Sequence, residues 1–519
     1  MDELYLLKQK KKGAFAILFS RTGIVMLLLV CAILSYFVVS AYLAGFIFEV
    51  LGGVGLFNFI VIVALINSDM DSSAKLTWVL VVSVTSVFGT IFYLYTRADI
   101  GSRVIGKGYN KLTQNHKNDL SQDSTTFEKL KAESKDTADL VSYLNRSGAF
   151  PVTEGNEIKY YPSGEDKWAA MLEDLKKAEK FIFLEYFVVE EGKMWGSVLS
   201  ILKEKAAQGV DVRVLYDGTC AISHLPYNYP KLLEELGIKC KMFSPIRPFL
   251  STHYNYRDHR KILVIDGKAG FSGGVNLADE YVNLKKKYGH WKDAAIRIEG
   301  EAVKNLTLMF LNMWSLGEEN PEYRKFLDAP VRTNPDKRGY AVPYGDTPFD
   351  SEKVGEWVYM DILNRANAYV HIMSPYLILD DTILTSLKFA AERGVDVKII
   401  LPGIPDKKAI SALAKTYFKT LLDSGVKIYL YKPGFVHAKV FVSDDLKAVV
   451  GTINLDYRSF YHHFECGTYL YGSECIYDIE RDFQNTLSRC TDVTHESIKK
   501  EKPVVKLVGK IMRLVAPLL

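Results

Sequence analysis

Two stretches of this chain carry the same chemically capable residues in the same register. Residues 259–276 read HRKILVIDGKAGFSGGVN and residues 437–454 read HAKVFVSDDLKAVVGTIN. The first holds His259, Lys261, Asp266 and Asn276; the second holds His437, Lys439, Asp444 and Asn454 at the same intervals. A lone His-x-Lys on a strand is more often a surface pair than a site. Two copies in register over eighteen positions make a shared function the better reading.

These residue types suit displacement at a phosphodiester. The phosphoryl oxygens are negative, so catalysis depends on neutralising them and positioning a nucleophile. Lysine supplies a point charge and asparagine a neutral donor. A neutral imidazole can attack phosphorus and form a covalent phosphohistidine. A second, protonated imidazole can give its proton to the leaving alkoxide, then take one from the incoming alcohol. The two histidines must then begin in opposite protonation states, with coupled titrations. Two His-Lys-Asn sets around one phosphate supply all of this without a metal or cofactor.

The elements that position these residues also repeat. In each copy the His-x-Lys heads an apolar run, KILVID or KVFVSD, that reads as a buried strand. Alternate side chains of a strand share a face, so His and Lys point the same way. Upstream, a helical segment from Lys167 to Lys180 runs into FIFLEYFVV; a helix through Lys205, Gly209 and VDVRVLYDG follow. The second half repeats that order with Asn364–Ala368, YVHIMSPYLI, a helix through Ala391, Gly394 and VDVKIILPG. Alternating strands and helices with buried strands predict an α/β architecture. The expectation is two duplicated α/β domains sharing one active site, 148–335 and 336–490.

The double His-x-Lys-x4-Asp-x6-Gly-[Gly/Thr]-x-Asn pattern resembles the phospholipase D superfamily. The phrases Tyr288-Gly-His-Trp-Lys-Asp293 and Leu455-Asp-Tyr-Arg-Ser-Phe460 are similar to its bacterial cardiolipin synthase branch. The resemblance covers the chain from about Asp69 to Asp482. It implies that His259 and His437 are nucleophile and general acid/base, with Lys261, Lys439, Asn276 and Asn454 on the phosphate. Asp266 and Asp444 complete the catalytic motifs and orient them from behind. A further acid implied behind each histidine is Glu465 in the second copy. In the first it is Asp293, with Asp279 or Glu280 as alternatives. Gly274 stands where many members place a hydroxyl residue, and Thr452 keeps one. The implied reaction joins two phosphatidylglycerol molecules into cardiolipin and releases glycerol. A hydrolase, or a transferase using another alcohol, would use the same residues. A nuclease would want basic and aromatic patches around the motifs, which are weak here, so no nucleic-acid partner is expected.

The rest of the chain points to lipid. Three runs without charged residues, Thr22–Phe48, Val50–Ser68 and Leu76–Thr96, reach the roughly twenty residues a span needs. They predict a multi-pass cell-membrane protein with a transmembrane region over 22–97, in two or three spans behind a basic segment 1–21. A polar segment over 98–147 follows and reads as a linker or exposed helix. Arg97, Arg103, Lys107 and Lys111 favour a cytoplasmic catalytic region. Residues 491–519 form a basic amphipathic tail, read either as an interfacial helix on anionic lipid or as a last helix packed on the domain. The six cysteines show no metal-ligand spacing. His253, His290, His462 and His463 read as core or surface histidines. Tyr186, Tyr254, Tyr256, Tyr376, Tyr457 and Arg458 sit near the motifs as candidate cleft residues.

Overall fold

The computed structural model describes residues 3–7, 47–97, 100–245 and 256–518. Lys8 to Arg21, nearly all of the first apolar run with Cys31, and His253 and Tyr254 lie outside them. The body contains one α/β unit twice. The first sheet is built from β1 (Glu157–Tyr161), β2 (Phe181–Tyr186), β3 (Asp211–Asp217), β4 (Lys239–Phe243), β5 (Lys261–Ile265), β6 (Ala269–Gly273) and β7 (Ala295–Glu299). The second uses β8 (Tyr340–Asp346), β9 (Tyr369–Met373), β10 (Asp396–Pro402), β11 (Lys427–Tyr431), β12 (Val440–Ser443), β13 (Lys447–Gly451) and β14 (His463–Tyr471). The first sheet runs β1-β7-β6-β5-β2-β3-β4, and the second runs β8-β14-β13-β12-β9-β10-β11. These seven strands follow the same order in both units, so the duplication read from the motifs extends across them, and the second sheet adds Cys490–Asp492 beside β11.

Each mixed sheet has parallel pairs among β2, β3 and β4, or β9, β10 and β11, and antiparallel pairs elsewhere. Every residue of β2 is buried, as expected of a strand covered on both faces. The covering helices end at Gly209 and Gly394, whose φ values of 89° and 95° only glycine adopts freely before the chain turns back into a strand.

The two units share one interior. The helix Val303–Trp314 is buried nearly all round, as a helix between two layers must be. Its Phe310 stacks on Phe183 of β2 at 4.5 Å, and its Asn305 amide donates to Pro151 O and Pro343 O, each at 3.0 Å. The short strand Thr153–Glu154, ahead of the first unit, pairs with β8 of the second.

Two expectations about the chain ends are corrected. The segment expected as a linker or exposed helix folds into three helices, Ile100–Asn115, Ser124–Glu133 and Lys135–Gly148, that are packed and not merely exposed. They bury Tyr109, Leu130, Val141 and Leu144 in the shared core beneath a charged exterior. Among the described residues no helix is long and apolar enough to cross a membrane. The third run, expected as one span, is instead two helices, α2 (Ser72–Thr85) and α3 (Val87–Arg97). Ser86 between them has a φ of 51°, which breaks the helix there. They pack with α1 (Ile47–Ile66), whose side chains are described from Gly55 onward, around Val61, Leu65, Trp78, Val82 and Tyr93. The tail forms the helices His495–Lys500 and α4 (Pro503–Leu514).

Candidate active site

The sequence copies meet where the units cross. Short parallel bridges pair Arg257–Asp258 with the start of β14, and Gly434–Val436 with His290–Lys292. The next backbone bonds seat the histidines: His259 N donates to Phe464 O at 2.9 Å and His437 N to Lys292 O at 2.7 Å. Each histidine therefore hangs from the strand that carries the other unit's acid. His259 Nδ1 lies 2.9 Å from Glu465 Oε1, and His437 Nδ1 lies 2.8 Å from Asp293 Oδ2. The sequence reading placed Glu465 with His437 and Asp293 with His259; the structure exchanges them. A proton held on Nδ1 by a carboxylate leaves Nε2 of each ring free to work on phosphorus.

The unequal Gly274 and Thr452 are explained by the unequal acids. Thr452 Oγ1 donates to Glu465 and so steadies the carboxylate behind His259. At the equivalent Gly274 an added Cβ would overlap the Asp293 carboxylate. The shorter aspartate instead takes N–H bonds from Ala294, at 2.9 Å, and from Trp291 Nε1, at 3.3 Å. Asp279 takes the Lys193 and Met194 amides, 3.1 and 2.8 Å away, and Glu280 faces Lys285 and Lys287. Neither therefore backs His259.

Lys261 and Lys439 are buried, and each ammonium donates to the carbonyl of the histidine two residues before it. The Asn276 carbonyl accepts Val188 N–H at 3.0 Å, and its amide lies beside Tyr281. Asn454 is buried with its Oδ1 unpartnered among the described residues.

The motif aspartates do not belong with the reacting groups. Asp266 accepts the backbone N–H groups of Glu179, Lys180 and Phe181 at 2.7–2.9 Å. Asp444 accepts those of Asn367, Ala368 and Tyr369, each at 2.9 Å. Both sit at the far end of the strand their histidine precedes, about 16 Å from the motif lysine at roughly 3.3 Å per residue. They fasten β2 and β9 to β5 and β12, a structural role as expected, which takes them out of the set of catalytic residues.

Other groups at the site were not singled out by sequence. His463 is buried, its ring centroid 5.3 Å from that of His259 and its Nδ1 3.4 Å from Glu465 Oε1. Adjacency to His462 made it look like a core residue. Its spacing of two from Glu465 on one strand was the usable signal, because such residues share a face. His259, His463 and Glu465 hold donor atoms within 4.8 Å of one another. Glu465 already accepts from His259 and Thr452, while neither ring nitrogen of His463 is hydrogen-bonded among the described residues, so His463 is a neighbour of that unit and not a bonded member of it. Behind it, fully buried Arg260 pairs with Glu185 at 2.7 Å and Asp258 at 3.3 Å. Among the candidate cleft residues, Tyr186 accepts from buried Lys167 at 2.9 Å and Tyr376 donates to Asp406 at 2.8 Å.

Burial dominates the electrostatics. It holds His259 well below the usual imidazole range, helped by the charges of Lys261 and Lys439. Burial, then Lys439, pushes His437 down to about 4, against the pull of Asp293. Burial also lowers Lys261 to about 8 and Lys439 to about 7. Burial would raise Asp293, but the adjoining His437 outweighs it and holds the carboxyl below its ordinary value. Two imidazoles held toward the neutral form thus face two lysines whose charge is costly. A bound phosphodiester would restore both ammonium groups and make one imidazolium favourable.

Residues 171–314 and 359–487 match the family described as cardiolipin synthase, PLD-like domain. The chain belongs to the cardiolipin synthase family of the phospholipase D superfamily. A Geobacillus kaustophilus cardiolipin synthase is 37% identical over 73% of this chain and 76% of its own length. One from Geobacillus sp. is 34% identical over 86% and 88%. An uncharacterized protein of Streptococcus mutans serotype c is 54% identical over 88% of this chain and 98% of its own. The crystal structure of Haemophilus influenzae phosphatidylserine synthase shares the fold, with a TM-score of 0.57, 17% identity and coverage of 74% of this chain and all of that one. This family member is thus a phospholipase D-like phosphatidyltransferase by descent, with phospholipids as its substrate class.

Proposed function

We propose that this enzyme makes cardiolipin from two molecules of phosphatidylglycerol, on the cytoplasmic face of the cell membrane, as a multi-pass protein. The crossed pairing of His259 with Glu465 and His437 with Asp293 carries the reading, because it fixes both imidazoles at one site with Nε2 free. His259, held toward the neutral form, attacks phosphorus. His437, protonated once the phosphate anion enters, gives its proton to the glycerol oxygen as the P–O bond breaks. Lys261, Lys439, Asn276 and Asn454 take the negative charge of the transferring phosphoryl group. In the second half, His437 removes the proton from a glycerol hydroxyl of another phosphatidylglycerol. That oxygen forms the new P–O bond as the P–N bond to His259 breaks. Overall, one phosphodiester is exchanged for another and one glycerol is released.

The test uses the full-length protein in phosphatidylglycerol vesicles without added metal. Cardiolipin and glycerol in equal amounts, both lost in His259→Ala and His437→Ala, are the expected products. Phosphatidic acid as the main product would make water the acceptor and replace this reading with a hydrolase.

A further inference from the structure

The last helix is mounted the wrong way round for water. Against the helix Lys408–Asp423 it presents Gly509, which is buried and so close that an added Cβ would overlap Ala412 O. Met512 packs inward, but four other bulky residues face outward: Val504 is 70% exposed, Leu507 59%, Ile511 54% and Leu514 55%. Spacings of three and four put these on one stripe. Lys506, Lys510 and Arg513 lie along one side of it, all exposed. A soluble helix would bury the leucines and expose the glycine.

The stripe does not end with the helix. Thr77 Oγ1 of α2 donates to Leu514 O at 2.9 Å, and Leu518 packs into the cluster of α1, α2 and α3. Those helices also turn apolar residues outward: Leu76, Leu80 and Val84 at intervals of four on α2, Phe59, Ile60 and Val63 on α1, and Ile91 and Phe92 on α3. Both ends of the chain thus join in one apolar surface, and a patch of this kind marks a partner.

We propose that α4 lies in the headgroup layer of an anionic bilayer and extends the lipid-facing surface of α1, α2 and α3. Charge selects the occupant. Residues 8–46 are a competing cover from the same chain, but their charged residues are Lys8, Lys10, Lys11, Lys12 and Arg21, with no acid. That segment would be repelled by Lys506, Lys510 and Arg513, whereas anionic lipid attracts all of them. The inference deepens the reading of a bilayer substrate, because it states how the catalytic unit is held against it.

The experiment places nitroxides at Leu507→Cys and Lys499→Cys in the full chain, reconstituted in phosphatidylglycerol or phosphatidylcholine nanodiscs. Accessibility to oxygen and to an aqueous nickel chelate is measured by electron paramagnetic resonance. In phosphatidylglycerol, the label at Leu507 is expected to favour oxygen over nickel at least threefold more than the label at Lys499. The preference should weaken in phosphatidylcholine. A label at Leu507 as open to nickel as that at Lys499 overturns the proposal. So does one shielded from both reagents in either lipid, which would assign the stripe to a second copy or another segment. These outcomes are independent of any reaction and stand even if the product assignment fails. A second measurement uses Leu507→Glu/Ile511→Glu, expected to consume vesicle phosphatidylglycerol at least fivefold more slowly. Its turnover of monomeric dihexanoyl-phosphatidylglycerol should match the parent; equal rates in vesicles contradict the proposal.

Discussion

At the scale of single residues, the exchanged acids are the feature with the sharpest consequences. A carboxylate that holds the Nδ1 proton fixes the ring and stabilises the imidazolium, so its amide isostere keeps shape and loses function. Glu465→Gln and Asp293→Asn should each lower kcat by about 10³-fold while circular dichroism and Tm stay near the parent. Because Glu465 serves His259, loss of the intermediate in Glu465→Gln and of its turnover in Asp293→Asn would distinguish the two partners by rapid-quench labelling. Gly274→Ala should destabilise by about 1–3 kcal/mol through forced overlap with Asp293. Thr452→Ala only removes a donor to Glu465, so chemical denaturation should find it milder. The residue types and their chemistry were legible in the sequence, since the duplicated motif names them. The exchange was not, because Glu465 follows His437 by 28 positions and sequence distance favours the local pairing. His463 was hidden for a similar reason: its neighbour His462 drew the reading away from its partner two residues on.

At the scale of elements, the motif aspartates act on strands, not on phosphorus. Each satisfies three backbone N–H groups at the start of a neighbouring strand. Asp266→Ala and Asp444→Ala should therefore lose about 2–4 kcal/mol of stability in urea titrations. Turnover of the folded fraction should stay within about threefold of the parent at low temperature. A loss of kcat like that of His437→Ala, with unchanged stability, would return these aspartates to the catalytic set. The strands themselves were readable, because FIFLEY and KILVI are buried on both faces and are apolar but for Glu185 and Lys261. The packing of the helices over 100–148 was not. Their buried Leu130, Val141 and Leu144 are widely spaced among charged residues, and the face they cover belongs to distant segments. The break at Ser86 also left no mark in hydropathy, since a serine within an apolar run is compatible with one straight span.

At the scale of the whole molecule, the site is a joint, and the joint is charged with groups kept from their preferred state. His437 has an ordinary value of 6.5 and titrates near 4 in the fold. Between those values the unfolded chain binds a proton that the native site refuses. Its contribution is thus fully present above pH 6.5 and is lost as pH falls, about 3 kcal/mol by pH 4. Denaturant midpoints measured across pH 6.5 to 4 should fall more steeply for the parent than for His437→Gln. Activity has the opposite alkaline limb. Lys439 and Lys261 lose their charge in the free site near 7 and 8, so kcat/KM should decline as pH rises through that window. A flat profile to pH 9 would mean that the lysines are not the phosphate's counter-charges. Across the joint, Lys292 and Tyr160 of the first unit bind Asp482 of the second at 2.7 and 2.6 Å. Each unit also holds the other's histidine, so neither half should turn over alone.

The most direct measurement of the account is a rapid-quench experiment with phosphorus-labelled phosphatidylglycerol and the His437→Ala variant, followed by peptide mapping under alkaline conditions that preserve phosphohistidine. Label is expected on the peptide containing His259, building up slowly because His437 also protonates the leaving glycerol and persisting because it also activates the acceptor, with none in His259→Ala. Label on His437 in the parent enzyme, or no covalent species at any time point, would contradict the account.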